Sequence, residues 1–402
     1  MASFASPLKD YGRSQSVNNP YTVAAIWIGF AFVAAVIAAR TGVSVSLIEI
    51  LVGIAVGNLL GLKSTPWIDF LAGFGSGLLT FLAGAEIEPS VVRKHWRQTL
   101  SIGFVSFLLP FMGALAFARW IVGWDWRAAQ IAGIALSTTS VAVVYAVMVE
   151  TGLNEATLGK IILAACFVTD FGTVLALGLL FANYSWYLLA FVVATTVVLP
   201  LAPRLVRFVI RTTGGRVSEA EIKFVLVIMF ALGGIAQAGG SEPILPAYLV
   251  GMVLAGTFLR ERALVTRMRT IAFTILTPFY FIRAGTFVSA TAVVSGAGLI
   301  LLLLGVKMGA KFVGVRPLTA LFRMPSREAM YTTLLMSTGL TFGTISALFG
   351  LTHGVINQGQ YTVLVTVVIL SALVPTLIAQ QLFKPSTEEH LAAEREAAAD
   401  QG

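Results

Sequence analysis

Residues 129–149 read Ala-Gln-Ile-Ala-Gly-Ile-Ala-Leu-Ser-Thr-Thr-Ser-Val-Ala-Val-Val-Tyr-Ala-Val-Met-Val, an apolar run with four hydroxyl residues, Ser137-Thr138-Thr139-Ser140, at its centre. A helix that crosses a membrane needs roughly 20 mostly apolar residues to span hydrocarbon about 30 Å thick. Within hydrocarbon every backbone group needs a partner from the protein, so four successive hydroxyls at mid-span have two uses. They bond back to the preceding helical turn, or they satisfy freed carbonyls and offer oxygen ligands where the helix is broken. A second apolar stretch, 329–349, carries a similar interruption, Ser337-Thr338-Gly339-Leu340-Thr341-Phe342-Gly343-Thr344. Two interrupted helices, one in each half of a chain, point to a transporter site built by inverted repeats. Their facing half-helices would place opposite dipole ends at the membrane midplane, where fixed charges can compensate them.

The rest of the chain agrees with a membrane setting. Of its 402 residues 57% are apolar and only 11% charged, with a mean hydropathy of +0.88. Soluble domains carry about 25% charged residues, so this chain lacks the polar surface a soluble enzyme or nucleic-acid binder needs. The sequence predicts thirteen apolar stretches, near 22–39, 45–61, 68–87, 99–122, 129–149, 158–182, 186–210, 222–238, 244–258, 270–290, 293–315, 329–349 and 361–383. The expected fold is an all-α polytopic membrane protein with two crossed broken helices. The single cysteine, Cys166, excludes an intramolecular disulfide.

Charge placement orients the expected spans. Of the 27 Lys and Arg residues, 19 fall in loops after odd-numbered spans, at the adjoining span ends or in the C-terminal tail, 5 fall at the opposite face, and Arg283, Lys307 and Lys311 lie deeper within spans. The positive-inside rule then places the N-terminus outside and the C-terminus in the cytoplasm. Residues 1–21 are expected as an extracytoplasmic leader without the features of a cleaved signal peptide, 22–383 as the membrane domain, and 384–402 as a cytoplasmic tail. No regulatory nucleotide-binding domain is expected on this chain. The positive charge is explained by topology in a lipid bilayer, with no nucleic-acid partner required.

Ionisable groups at mid-span are functional candidates because they are costly in hydrocarbon. Asp170, in Ile161-Ile-Leu-Ala-Ala-Cys-Phe-Val-Thr-Asp-Phe-Gly172, is the one carboxylate expected deep in the spans, whereas Glu49, Glu86, Glu88 and Glu242 fall nearer span ends. Lys307 and Lys311 share one helix face at i, i+4, and either could neutralise a helix end or pair with a carboxylate. Arg283, in Pro278-Phe-Tyr-Phe-Ile-Arg-Ala-Gly285, is expected to line the same cavity or a subunit interface.

Five segments in order then carry a family likeness: Glu49-Ile-Leu-Val-Gly-Ile-Ala-Val-Gly57, Phe81-Leu-Ala-Gly-Ala-Glu-Ile-Glu88, Leu158-Gly-Lys-Ile-Ile-Leu-Ala-Ala165 running into Thr169-Asp170, Pro278-Phe-Tyr-Phe281, and Pro325-Ser-Arg-Glu-Ala329. The chain resembles the monovalent cation:proton antiporters of the Kef/Nap type, the second cation:proton antiporter group, over essentially all the expected spans. The resemblance places Asp170 on the family's ion- and proton-binding aspartate and Lys311 on the lysine near the crossing of the broken helices. It also sets Thr169 where many electrogenic members have a second aspartate, and Ser140 where some carry an aspartate in the broken span. It implies a homodimer whose core part, roughly 99–182 and 293–383, moves against a dimerisation part, roughly 22–87 and 222–290, across a linker helix at 186–210.

The activity this resemblance implies is exchange of Na⁺ or K⁺ for H⁺ with no cofactor. The cation is expected to bind ionised Asp170, helped by oxygens of Thr169, Thr138, Thr139 or Ser140, while Lys311, Lys307 and Arg283 compensate charge. One carboxylate suggests one proton per cation and electroneutral exchange. The alternative is a sodium-coupled organic-anion symporter on a related broken-helix fold, with Lys311 and Arg283 at the anion. An intramembrane enzyme is disfavoured, because no His-Glu-x-x-His, Gly-x-Ser-x-Gly or paired catalytic aspartates occur.

Overall fold

The structure, a computed structural model, describes residues 19–41, 45–62, 64–85, 94–151, 153, 156–181, 186–213, 219–238 and 244–385. Glu86, Glu88 and Glu242, the leader before residue 19 and the tail after 385 lie outside the described residues. Everything regular among them is helical: α1 (Pro20–Thr41), α2 (Val45–Leu60), α3 (Pro66–Ala85), α4 (Trp96–Ala116), α5 (Trp126–Ser137), α6 (Val141–Thr151), α7 (Thr157–Leu180), α8 (Trp186–Thr213) and α9 (Ala220–Ala238). There follow α10 (Ile244–Phe258), α11 (Arg262–Ile271), α12 (Thr277–Thr286), α13 (Ala290–Ser295), α14 (Ala297–Leu321), α15 (Ser326–Met336), α16 (Thr341–Thr352) and α17 (Gln358–Leu382). Among the described residues nine helices, α15 and α16 counted together, are long and apolar enough to cross a membrane. Val45–Leu60 and Leu245–Phe258 are shorter apolar helices.

Over the described residues the thirteen expected stretches fall on helix, interrupted at 138–140 and 337–340, with one large boundary difference. The stretch expected from 270 begins at Arg262: α11 runs through a π-helical turn (Ala272–Leu276) into α12. Arg262, Arg267 and Arg269 make this segment look like a basic loop, but the helix is amphipathic. It buries Leu264 and Met268 and turns its charges outward.

Helix contacts sort into two sets. In one, α3 packs along α10, α2 along α12, and α8 along α9 and α10. In the other, α4 packs on α5, α7 and α14, while α16 and α17 close over α5. The first set relies on glycine pairs that let backbones touch, as membrane helices commonly do. A Cβ on Gly251 of α10 would sit 2.0 Å from the Phe81 carbonyl oxygen, and one on Gly84 of α3 would sit 2.4 Å from that of Tyr248. Outward-facing Phe32, Phe104, Leu179, Val197 and Leu301 are exposed, as helix faces turned to lipid must be. Trp96, Trp120, Trp126 and Trp186 are also exposed at helix ends, where amphipathic rings favour the membrane–water boundary.

Candidate ion-binding site

The two broken helices meet where their hydroxyl-rich stretches lose helical geometry. α5 starts at Asp125, whose side chain caps it by accepting from Ala128 N at 2.9 Å, and it ends at Ser137. Residues 138–140 are non-helical before α6 resumes at Val141. α15 likewise stops at Met336, and 338–340 are non-helical before α16 begins at Thr341. The two irregular stretches bond to each other: Ser140 N donates to Thr338 O at 3.2 Å, and Thr139 Oγ1 donates to Met336 O at 2.9 Å. Both uses that sequence allowed the hydroxyls occur. Ser137 and Thr138 bond back to Ile134 O and Ala135 O, and Thr139 crosses to the other half of the chain.

Lys311 of α14 points into this crossing and is fully buried. Its ammonium donates to Ser106 Oγ of α4 at 2.8 Å, to Ser137 O at 2.9 Å and to Thr139 Oγ1 at 3.0 Å. Ser137 O belongs to the last turn of α5, where unpaired carbonyls and the helix dipole concentrate negative potential. Lys307, one turn earlier, is equally buried, and its Nζ has no hydrogen-bond partner. It lies against Gly339, where an added Cβ would come 2.3 Å from Nζ and 2.9 Å from Thr138 Oγ1. The two lysines that spacing could not separate therefore differ: one is saturated with oxygen acceptors, and the other rests beside the break in α15–α16.

Asp170 lies on α7, 1% exposed, and neither carboxylate oxygen has a hydrogen-bond partner. Lys311 is the cation that acts on it electrostatically, yet no ion pair joins them among the described residues. Thr169 is buried beside it, with its hydroxyl donating to Cys166 O at 2.7 Å. The Thr169, Thr138 and Thr139 hydroxyl protons are thus committed to backbone carbonyls, which leaves their lone pairs as the groups that can face a cation. One lone pair of Thr139 is already taken by Lys311. Ser140 is 1% exposed, and its Oγ accepts from Val143 N at 3.4 Å.

Arg283 stands elsewhere. Its Nε donates to Asp69 at the start of α3, and its guanidinium lies 5.2 Å from the Phe287 ring centre. Asp69 opens a span and so did not stand out as a mid-membrane charge, but it supplies the carboxylate that Arg283 needs. Two groups at the crossing also escape a reading by sequence. Ser106 was legible only as a lone hydroxyl within an apolar stretch. Tyr248 carried no sequence signal; from α10 its hydroxyl donates to Phe167 O at 3.0 Å, and its ring stacks on Phe171 with centres 6.2 Å apart. With Leu245, which stands over Gly178, it brings the first set of helices against the helix of Asp170.

Two crossed broken helices, with a buried lysine at the crossing and a buried carboxylate on a helix packed against both, are the architecture of a secondary transporter. The sequence pattern described as the transmembrane sodium/hydrogen exchanger matches residues 28–384, and the chain belongs to that family of monovalent cation:proton antiporters. It is similar to the probable Na⁺/H⁺ antiporter 3 of Methanocaldococcus jannaschii, 23% identical over 352 residues that make up 85% of this chain and 89% of that protein. It is 22% identical to the Na⁺/H⁺-K⁺ antiporter GerN of Bacillus cereus over 83% of this chain and 89% of that one. Cation/H⁺ antiporter 18 of Arabidopsis thaliana is 25% identical over 83% of this chain, which spans only 44% of that protein's length. Among solved structures, the sodium proton antiporter MjNhaP1 from M. jannaschii superimposes with a TM-score of 0.69 at 13% identity, covering 90% of this chain and 97% of that one. That likeness shows the fold.

Proposed function

We propose that this protein exchanges Na⁺ or K⁺ for H⁺ across a membrane by alternating access, with Asp170 as the group for which cation and proton compete. The observation that carries this reading is a fully buried carboxylate with neither oxygen bonded, next in sequence to Thr169 and on a helix that packs against the broken one. A monovalent cation in a protein is held by carboxylate, hydroxyl and carbonyl oxygens. It binds the ionised carboxylate, and protonation of Asp170 removes the charge that holds it. The empty, ionised carboxylate is the costly state in low dielectric, so the site crosses loaded with one partner or the other. Thr169 and Thr138 are the proposed neutral ligands, with Thr139 and Ser140 supporting the backbone there. Lys311 and Lys307 compensate charge at the break. Arg283, paired with Asp69, has no part in the site.

One competitive carboxylate gives one proton per cation and electroneutral exchange. The part containing α4–α7 and α14–α17 moves as the core against the part containing α1–α3 and α9–α12, across the linker helix α8, within a homodimer whose N-terminus is outside and C-terminus cytoplasmic. Acid-loaded proteoliposomes test this. External Na⁺, K⁺ or Li⁺ should alkalinise the lumen in wild type and leave Asp170→Asn at the protein-free leak rate, and an imposed membrane potential should not change the wild-type rate. Cation response in Asp170→Asn equal to wild type would refute the role of Asp170. No response to any cation from folded wild type would remove antiport and favour the sodium-coupled organic-anion symporter, with the anion at Lys311 and without Arg283, which Asp69 holds.

A further inference from the structure

Far from the crossing, where α8 and α10 end, the helices enclose a cavity of about 370 Å³ whose lining includes Arg207, Arg211, Gly256, Thr257, Arg260 and Glu261. Pockets that hold small ligands run from roughly 300 to 1,000 Å³. Arg207 and Arg211 are one helical turn apart on α8 and therefore share a face. Arg260 follows the last turn of α10, held there by a bond from its own N–H to Thr257 O at 3.2 Å. Three solvent-exposed arginines, two from α8 and one from the turn after α10, thus line one space together with a single carboxylate residue, Glu261.

Among the described residues none of these three arginines has an ion pair or a side-chain hydrogen bond. Their neighbour Arg267 shows what a satisfied arginine looks like here: it holds Glu219 at 2.8 Å and lies 3.8 Å from Glu221. Like charges one turn apart destabilise a helix, and a third brought to the same cavity adds to the repulsion. The positive-inside rule places arginines at this end of the bundle, but it does not require them to converge or to stay unpaired. An anion in the cavity resolves both. The planar guanidinium fork matches phosphate oxygens two at a time. Glycine at 256 leaves the wall open, with nothing within 4 Å of an added Cβ. Leu201, Leu205 and Phe208 are exposed on another face of α8, so the same helix also turns an apolar surface outward.

We propose that the cavity between the ends of α8 and α10 binds a phosphate-bearing anion, presented as an acidic lipid headgroup or free in solution. The full chain, purified in detergent, is melted by intrinsic fluorescence at constant ionic strength with four probes: dioctanoyl phosphatidylglycerol, dioctanoyl phosphatidylcholine as zwitterionic control, inorganic phosphate and ATP. At a hundredfold excess over half-saturation, a ligand bound by the folded state alone raises the melting temperature of a chain this size by about 3–5 °C. A saturable shift with phosphatidylglycerol alone identifies a lipid headgroup, whereas a shift with phosphate or ATP identifies a soluble anion. Either shift should vanish in the triple variant Arg207→Ala, Arg211→Ala, Arg260→Ala and persist in Arg40→Ala, Arg327→Ala, Lys384→Ala, which loses equal charge elsewhere. Glu261→Gln should bind more tightly. No shift with any anion, or equal shifts in both triple variants, overturns the proposal. The readout needs no transport and is independent of the antiport reading.

Discussion

Lys311→Met keeps much of the side chain's length and removes its ammonium, so it isolates the charge at the crossing. The wild-type group donates to Ser106 Oγ, Ser137 O and Thr139 Oγ1, all within 3.0 Å. The two hydroxyls can turn to other acceptors, and Thr139 keeps its bond to Met336 O. The Ser137 carbonyl, at the end of α5, loses a charged donor that nothing replaces. A hydrogen bond to a charged group contributes about 1.5–3 kcal/mol, and removing one member of a buried charge set costs about 3–5 kcal/mol, so a loss of about 4 kcal/mol is expected. Domains of 150–250 residues shift about 2–4 °C per kcal/mol, and a longer chain shifts less, which translates the loss into about 4–8 °C. The assay is fluorescence-monitored melting in detergent at one fixed scan rate, because membrane proteins rarely unfold reversibly. A second arm adds Asp170→Asn. Neither carboxylate oxygen has a partner to lose, so in the Lys311→Met background, where Lys307 is the lysine left at the break, this change removes a charge that has lost the cation acting on it. It should recover about 1–3 kcal/mol, the coupling typical of groups in one network. The reasoning fails if Lys311→Met melts within about 1 °C of wild type, or if the two losses simply add.

Two substitutions test the backbone contacts. Gly251→Ala puts a methyl 2.0 Å from the Phe81 carbonyl oxygen; overpacking of this kind costs about 1–3 kcal/mol, so the melting temperature should fall. Gly256→Ala on the same helix meets nothing within 4 Å and should not lower it; equal falls in both would mean that helix propensity or insertion, not close packing of α3 on α10, is measured. Gly339→Ala meets the flexible end of Lys307 rather than backbone, so melting should change little while the transport rate drops about tenfold, equivalent to about 1.36 kcal/mol at the barrier. Wild-type transport in Gly339→Ala would show that the position of Lys307 against the break does not matter.

Much of this fold was legible because membrane helices announce themselves by length and composition, and because hydroxyl runs such as Ser137–Ser140 and Ser337–Thr344 have few uses in hydrocarbon. The helix Arg262–Ile271 was not, since its arginines outweigh two inward residues, Leu264 and Met268, in any average over the segment. At the site, Asp170 and the lysine pair were legible as charges in apolar surroundings. Spacing gave the lysines a shared face and all three a common setting, but not partners, and partners decide roles. Arg283 shows the limit: as an isolated basic residue in sequence it was a candidate for the cavity, whereas Asp69, 214 residues away in the chain, holds it. Tyr248 is the converse case, an ordinary aromatic in an apolar stretch whose place beside the helix of Asp170 depends wholly on how α10 packs on α7.

The arrangement at the crossing also bears on how a carboxylate can stay available in the presence of a buried lysine. A direct ion pair would satisfy both groups and oblige an incoming cation to break it, at the cost of leaving an ammonium unpaired in low dielectric. Here the Lys311 ammonium takes its acceptors from the end of α5 and from Ser106 and Thr139, so its proton donors are filled without Asp170. The broken helix thereby does two things at once: its carbonyl end holds the lysine, and its interruption leaves hydroxyl lone pairs free on a segment whose flanking half-helices pack against the helix of Asp170. The lysine's field still reaches Asp170, while in the proposed exchange no bond between them would have to be broken for a cation or a proton to arrive. A continuous helix through 138–140 would remove both effects together, with its last carbonyls bonded within the helix and no free end to receive Lys311. That coupling explains why the polar run and the lysine occur in the same protein, although 171 positions separate Ser140 from Lys311 in the sequence.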